Sequence, residues 1–487
     1  MTAVHPRRQP SRSLHLSLGA VPPALRPAVS AFLFGYASAV GPRILTLLAQ
    51  YCAAIRASGH DGEKKRGRAV SSLRSALASG FGWNRFPAFC AALAGGSTLL
   101  EVPVRRLLEK LLGASLASLN LTRLARWLST FFAAALSLRL LQSRETPAYT
   151  ETVPVKSDHP PGVEAKTVRY AGRTLDLTLF AVARALDVLV RDLWSRRRPP
   201  PHAWTKTDAF LCSIADPAVF SVSCAVIMWS WFYYPSRLPK TYRKWISSAA
   251  AVDERLIDAL RLCKQGTLRY GEDTGVADLL GSMCRDFNLP PVWGDPAQTT
   301  PFPCELVHMG CGPSCEYHAF SRFLRSFAWS ATTYLPINLA LQLRNPSAKA
   351  LKRALLSALR SSAFLGTFIS LFYYGVCLTR TRLGPKILGK DIPARNAIDG
   401  GGCVATGCFL CGWSILLEAP RRRPELALFV APRALASFFP RKYPVEDQWK
   451  ETLAFALSAA TLFAAAAEDK TKVRGVLGKL LAKVMQR

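Results

Sequence analysis

Charge is missing from this chain in long, discrete runs, and that pattern limits its fold more than any other feature. Pro217 to Pro235 is 19 residues without a charge, Ser326 to Leu343 is 18, Ser361 to Thr379 is 19 and Gly400 to Leu417 is 18. Thr452 to Ala467 adds 16. A helix needs about 17–25 apolar residues to span a hydrocarbon core. Buried helices of soluble proteins can be apolar all round, but five such runs in one chain point to an integral membrane protein.

Composition enters here as a filter. Half of the 487 residues are hydrophobic, which excludes a disordered chain. Thirteen scattered cysteines in so long a sequence do not make a disulfide-rich secreted scaffold. Lys and Arg number 63 against 32 Asp and Glu, a net charge of +31. Nucleic-acid binding would place such cations among stacking aromatics or in a reader motif. The clusters Lys64–Lys65–Arg66–Gly67–Arg68, Arg196–Arg197–Arg198 and Arg421–Arg422–Arg423 instead flank apolar segments. They suit anionic headgroups, at about 1 kcal/mol per cation near the surface. The expected partners are therefore membrane lipids rather than nucleic acid, with a homo-oligomer or organelle membrane partners also open.

No acidic residue precedes Asp61, and Arg7, Arg8, Arg12, Ser11 and Ser13 give the start a transit-peptide composition. Pro6, Pro10, Pro22, Pro23 and Pro27 would break an amphipathic helix there, so residues 1–27 read as a basic tail.

A repeat follows. Asp176-Leu-Thr-Leu-Phe-Ala-Val-Ala-Arg-Ala-Leu186 recurs as Glu425-Leu-Ala-Leu-Phe-Val-Ala-Pro-Arg-Ala-Leu435. Trp204, Thr207, Ala209, Phe210, Ser213 and Ala215 recur as Trp449, Thr452, Ala454, Phe455, Ser458 and Ala460. Two matches in one order indicate duplication. Apolar stretches at about 28–51, 84–100, 124–141 and 208–235 would pair with 326–343, 361–379, 400–417 and 451–467. Arg43, Arg85, Arg126 and Arg139 intrude near the ends of first-half segments and would snorkel. The expected fold is an all-α integral membrane protein. It has two parallel repeats of about four transmembrane helices each, with an interfacial amphipathic helix in each repeat. Five to eight spans are compatible with the sequence. The repeats cover 28–235 and 326–469, a soluble insert 236–325, and a basic amphipathic tail 470–487. Small residues four apart, Gly35 and Ala39, Ala37 and Gly41, Gly401 and Ala405, Cys408 and Gly412, would let helix backbones approach.

The insert ends in Pro303-Cys-Glu-Leu-Val-His-Met-Gly-Cys-Gly-Pro-Ser-Cys-Glu-Tyr-His318. Cys304, His308, Cys315 and His318 could hold zinc, with Cys311 as a spare. A local disulfide, or cysteines packing the loop against the next helix, remains open. Cys403, Cys408 and Cys411 lie within an apolar run and read as small packing residues.

This cysteine-rich segment, with Phe327 and Tyr334-x-Pro336-x-Asn338 after it, resembles that of the transmembrane protein 135 family. The usual proline after the first histidine is Met309 here. The repeats are also distantly similar to the mitochondrial inner-membrane translocase (Tim) family. The resemblance implies a peroxisomal or mitochondrial membrane and a part in lipid metabolism or organelle homeostasis. It brings no catalytic residues.

Three functions are compatible. The first is a non-enzymatic protein that moves a lipid or other solute, with the duplicated Arg184 and Arg433 as candidate contacts for anionic headgroups or substrate. Asp216 and Asp399, near or within spans, are further suspects. The second is a membrane enzyme. No Gly-x-Ser-x-Gly, phosphate loop or dinucleotide fingerprint supports it, and of seven histidines only His308 and His318 cluster. The third is a scaffold or translocase-like protein recruiting partners through basic loops and the tail at 470–487, whose Val473, Val476, Leu477, Leu480, Leu481 and Val484 form an apolar face.

Overall fold

The computed structural model describes residues 21–56, 60–112, 118–158, 161–197, 205–340, 342 and 347–485. Most of the tail at 1–27, and residues 198–201 of the linker that separates the two first-half motifs, lie outside these. From the amino terminus come α1 (Arg26–Arg56), α2 (His60–Ser79), α3 (Phe86–Leu99), α4 (Glu101–Leu112) and α5 (Ser118–Gln142). A hairpin of β1 (Thr150–Asp158) and β2 (Pro161–Ala171) follows, antiparallel, with Thr150 opposite Arg169. Next are α6 (Leu175–Arg197) and α7 (Lys206–Tyr233). The insert holds α8 (Lys240–Ala250), α9 (Glu254–Gln265), α10 (Ala277–Asp286) and α11 (Cys304–Val307). After them run α12 (Cys315–Ala340), α13 (Ala348–Leu378), α14 (Gly384–Ile387), α15 (Ile392–Ala397), α16 (Cys403–Cys411) and α17 (Arg423–Ala436), then α18 (Gln448–Glu468) and α19 (Gly475–Val484).

The protein is helical in the main, and seven helical stretches among the described residues are long and apolar enough to cross a membrane. They are Pro23–Cys52, Phe86–Leu111, Asn120–Gln142, Lys206–Tyr233, Ala348–Ile387, Ile392–Leu417 and Val445–Glu468. Phe132, Leu136, Val219, Val222 and Phe409 point outward from them, as lipid-facing residues would. The run at 326–343 is not among the seven. It continues a helix whose amino-terminal part carries Glu316, Arg322 and Arg325. The hairpin is a departure from the all-helical expectation. Its strands are rich in β-branched residues, among them Thr150, Thr152, Val153, Val155, Val163, Thr167 and Val168, a signal that the hydropathy map does not register.

The halves read from the sequence are not the compact units. The described residues of Met1–Thr174 and Pro444–Arg487 form one unit, and Leu175–Tyr443 the other. In the first, α1 packs on α3, α3 on α5, and α5 on α18. Phe89 and Phe455 meet with ring centroids 5.7 Å apart. The tail helix α19 packs on α1 and α18 and buries Leu481 and Val484, the latter against Ala31 and Ala94. With Val473 also buried, half of the tail's apolar face is already covered.

In the second unit α12 packs on α13, α13 on α16, α16 on α7, α7 on α17, and α17 on α6. Phe220, Ile227, Trp231, Phe372, Val404 and Ile415 form its centre. Gly375 and Gly407 let α13 and α16 touch, since a Cβ on Gly407 would lie 2.7 Å from the Phe372 carbonyl oxygen. At Gly412 a Cβ would lie 2.4 Å from the Ser221 Cα on α7. Of the small-residue positions marked in the sequence, Gly412 and Gly35 sit at close approaches, whereas Gly41 faces open space. Helix α7 starts on a reciprocal cap between Thr205 and Asp208 and runs through Pro217 without ending.

The insert folds around Leu256, Leu268, Tyr270, Leu280, Met283 and Leu306. Helices α8 and α9 are separate because Ala251 turns left-handed (φ 48°) and Asp253 caps the second.

Candidate functional site

Three polar clusters stand out, and the first is the Cys/His segment. Helix α11 puts Cys304 and His308 one turn apart. The chain then doubles back through Met309, Gly310 and Gly312, with φ of 54°, 74° and 85°. A proline, fixed near −65°, cannot stand at 309 in this turn. The reversal returns Cys315 to the same place, at the start of α12. One ligand atom from each of Cys304, His308 and Cys315 lies within 4.8 Å of the others. A fourth group arrives from α13: Cys377 Sγ is 3.3 Å from His308 Nε2. The Cys315 thiol contacts the thiols of both Cys304 and Cys377. His308 Nδ1 faces the Gly312 carbonyl at 2.7 Å, which as an N–H donor it would use to fix its tautomer.

His318 stands apart from the expected ligand set. Its ring stacks on His308 (centroids 4.4 Å, 13° between planes) and meets the Tyr373 ring edge-on. Neither of its ring nitrogens has a hydrogen-bond partner among the described residues. Burial, with His308 and Arg322 nearby, pushes His318 down to about 3, so the ring is neutral near pH 7. Burial raises the Cys304 thiol to about 11. Cys403, Cys408 and Cys411 lie in the packed core, as expected of packing residues.

The second cluster is a buried ion pair. Arg380 Nε donates to Asp399 Oδ1 at 2.7 Å and its Nη2 to Oδ2 at 2.9 Å. Tyr270 of the insert donates to Asp399 at 2.5 Å, and Arg380 reaches the Phe302 carbonyl at 3.1 Å. Both charged residues sit on wide π-turns, Thr379–Leu383 and Ile398–Gly402. Such turns widen the helix by one residue and recur at functional sites. The sequence marks Asp399 but not its partners.

The third cluster lies in the first unit. A cavity of ≈ 440 Å³ is lined by Arg139, Arg144, Arg169, Arg173, Tyr149 and Trp449 among others. Arg144 and Arg173 have their pKa values lowered, first by burial and then by neighbouring arginines. For Arg144 these neighbours are Arg85 and Arg43; for Arg173 they are Arg144 and Arg85. The cavity's acids are outnumbered: Glu145 pairs with Arg169, and Glu446 stands at the rim. Three of the cations, Arg43, Arg85 and Arg139, appear in the sequence as separate interruptions of apolar segments. Nothing in linear order shows that they converge.

The duplicated arginines are placed differently. Arg184 is buried and pairs with Glu425 at 3.2 Å, next to the Phe180 ring. Arg433 lies 3.8 Å above the Phe429 ring, with Tyr242 beyond. Both serve the packing of α6, α17 and α8.

No family model, curated protein or solved structure matches this chain.

Proposed function

We propose that this multi-pass membrane protein binds a phosphate-bearing anion, a lipid headgroup above all, in the arginine-lined cavity of its first unit and helps to move it. The reading is non-enzymatic. The observation that carries it is the lining of one cavity by Arg139, Arg144, Arg169 and Arg173, with Arg85 near enough to repel both Arg144 and Arg173 and Arg43 near enough to repel Arg144. Like charges held together in a partly dry place raise the energy of the empty site, and a bound anion relieves that cost. Guanidinium groups present paired donors that match phosphate oxygens.

The duplicated motifs support a two-repeat plan with an exchange. Helices α7 and α18 carry the second repeated motif. Helix α18 packs on α5 in the first unit, and α7 packs on α16 in the second. Each unit would thus consist of the first three helices of one repeat and the fourth of the other. Binding sites in repeat proteins commonly form where repeated elements meet. The likeness of the cysteine-rich segment to the transmembrane protein 135 family favours a peroxisomal or mitochondrial membrane and a role in lipid metabolism or organelle homeostasis.

The test is lipid retention by the full-length protein in detergent, read by native mass spectrometry. Phosphatidic acid, phosphatidylcholine and inorganic phosphate serve as probes. Preferential retention of phosphatidic acid, lost in Arg144→Ala/Arg173→Ala, is expected. Inorganic phosphate competing as well as the lipid would shift the ligand to a soluble anion. Equal retention of phosphatidylcholine, or no effect of the double substitution, would refute the reading.

A further inference from the structure

The geometry points to a zinc site made by Cys304, His308, Cys315 and Cys377, with three thiolates and one imidazole, and with His318 outside the ligand set. Three separate elements supply the donors: α11 with Cys304 and His308, the start of α12 with Cys315, and α13 with Cys377. Tetrahedral zinc with bonds near 2.3 Å to sulfur and 2.0–2.1 Å to nitrogen sets its ligand atoms about 3.5–3.8 Å apart. The first three donors already lie within 4.8 Å of one another, and the fourth is 3.3 Å from His308 Nε2. The first three donors therefore need only small movements to close on an ion, and the Cys377 thiol already meets His308 and the Cys315 thiol.

The orientation of His308 fits the role. A ligating imidazole usually donates its other ring N–H to a carbonyl or carboxylate, which fixes the metal-facing nitrogen. Nδ1 of His308 has the Gly312 carbonyl at 2.7 Å, and Nε2 is the atom turned to the Cys377 thiol. His318 stacks flat on His308 and braces that ring plane. It is a positioning residue.

Charge supplies an independent argument. Binding of Zn²⁺ by three cysteines releases three thiol protons and leaves a centre of net charge −1. Beside the cluster Arg322 is buried, 6 % exposed, and among the described residues no carboxylate pairs with it. Its guanidinium donates to the Ala251 carbonyl at 3.1 Å, contacts Met309 Sδ at 3.4 Å and lies over the Tyr373 ring. A buried cation needs a compensating charge, and the zinc–thiolate centre provides one. A tetrahedral site of three sulfurs and one nitrogen favours zinc over harder divalent ions. Bound there, the ion would tie the insert to α13.

Zinc is measured on the full-length protein, purified in detergent with reductant and without chelator. About one equivalent per chain is expected, and less than about a tenth would overturn the assignment. X-ray absorption at the zinc edge of the same sample is expected to give three sulfurs at about 2.3 Å and one nitrogen at about 2.0–2.1 Å. Two sulfurs and two nitrogens would contradict it, and this reading needs no variant to fold. Cys377→Ala is expected to lose the metal and His318→Ala to keep it. The reverse pattern, or a Cys304–Cys315 disulfide in peptide maps of metal-free protein, would also overturn it.

Discussion

Arg380 and Asp399 stand on two π-turns of one unit and close a bidentate ion pair, with Nε to Oδ1 at 2.7 Å and Nη2 to Oδ2 at 2.9 Å. Tyr270 and the Phe302 carbonyl bring the insert to the same pair. Removing one partner of such a pair leaves an uncompensated charge and costs about 3–5 kcal/mol. Asp399→Ala is therefore expected to lower the unfolding midpoint in detergent sharply. Replacing both residues, as Arg380→Met/Asp399→Leu, should cost less than Asp399→Ala alone. Additive losses in the thermal melts would show that the two side chains act separately.

The helix crossing at Gly407 makes a second prediction, with a control in the same protein. A methyl there would lie 2.7 Å from the Phe372 carbonyl oxygen, so Gly407→Ala should destabilise by about 1–3 kcal/mol. Gly41 lies within α1 and has nothing within 4 Å of its built Cβ. Gly41→Ala should be neutral or stabilise by up to about 1 kcal/mol, from helix propensity alone. Denaturation of the two variants in one detergent compares the signs.

How much of this could be read from the sequence depended on range. Apolar runs mark helices because they are local, and Asn120–Gln142 or Lys206–Tyr233 fall where hydropathy puts them. Cys304, His308 and Cys315 could also be grouped, since one helical turn and a glycine-rich reversal bring them together. Cys377 could not, because it lies 69 residues beyond His308 and reads as one more small residue in an apolar helix. Spacing alone favours His318 instead, and only the stacked ring planes place it outside the set. The arginine cavity was hidden for the same reason: α5, the hairpin and the start of α18 each contribute a few of its lining residues. The packing of α18 on α5 is likewise a tertiary choice between similar apolar faces, which a hydropathy profile cannot distinguish.

Asp253 gives a pH-dependent term. Its carboxylate caps α9 by accepting from the Arg255 backbone N–H at 2.9 Å, and it also accepts from the Arg255 guanidinium. The side-chain bond from Arg255 is the main cause of a pKa below the usual carboxylate range. A lowered folded-state pKa stabilises above the unfolded value of about 3.9 and is lost as pH falls through the folded one. Asp253→Asn keeps a capping oxygen and removes the charge, so it should lower stability at neutral pH by up to about 1 kcal/mol. The gap to the wild type should narrow as pH drops below about 4. A gap that stays constant from pH 7 to pH 3 would show that the charge on Asp253 contributes nothing.

The tail helix supplies a further test. Val484 packs against Ala31 and Ala94. Val484→Asp, which sets a charge into that contact, should destabilise the first unit by several kcal/mol. Membrane insertion should persist, since α1 and α3 keep their apolar lengths. Alkali extraction of membranes reads insertion, and protease sensitivity reads the packing. Full stability in the variant would mean that the tail contact contributes little.

Phospholipid transfer between vesicles is the most direct measure of the proposed function. Full-length protein is reconstituted into liposomes, and movement of labelled phosphatidic acid and phosphatidylcholine is followed. Faster movement of phosphatidic acid than in protein-free vesicles is expected, with a loss of at least about tenfold in Arg144→Glu/Arg173→Glu. The Arg433→Ala protein should match the wild type, because that guanidinium lies against Phe429 and not in the cavity. Transfer that ignores headgroup charge, or that survives reversal of Arg144 and Arg173, would contradict the assignment of the arginine cavity as the binding site.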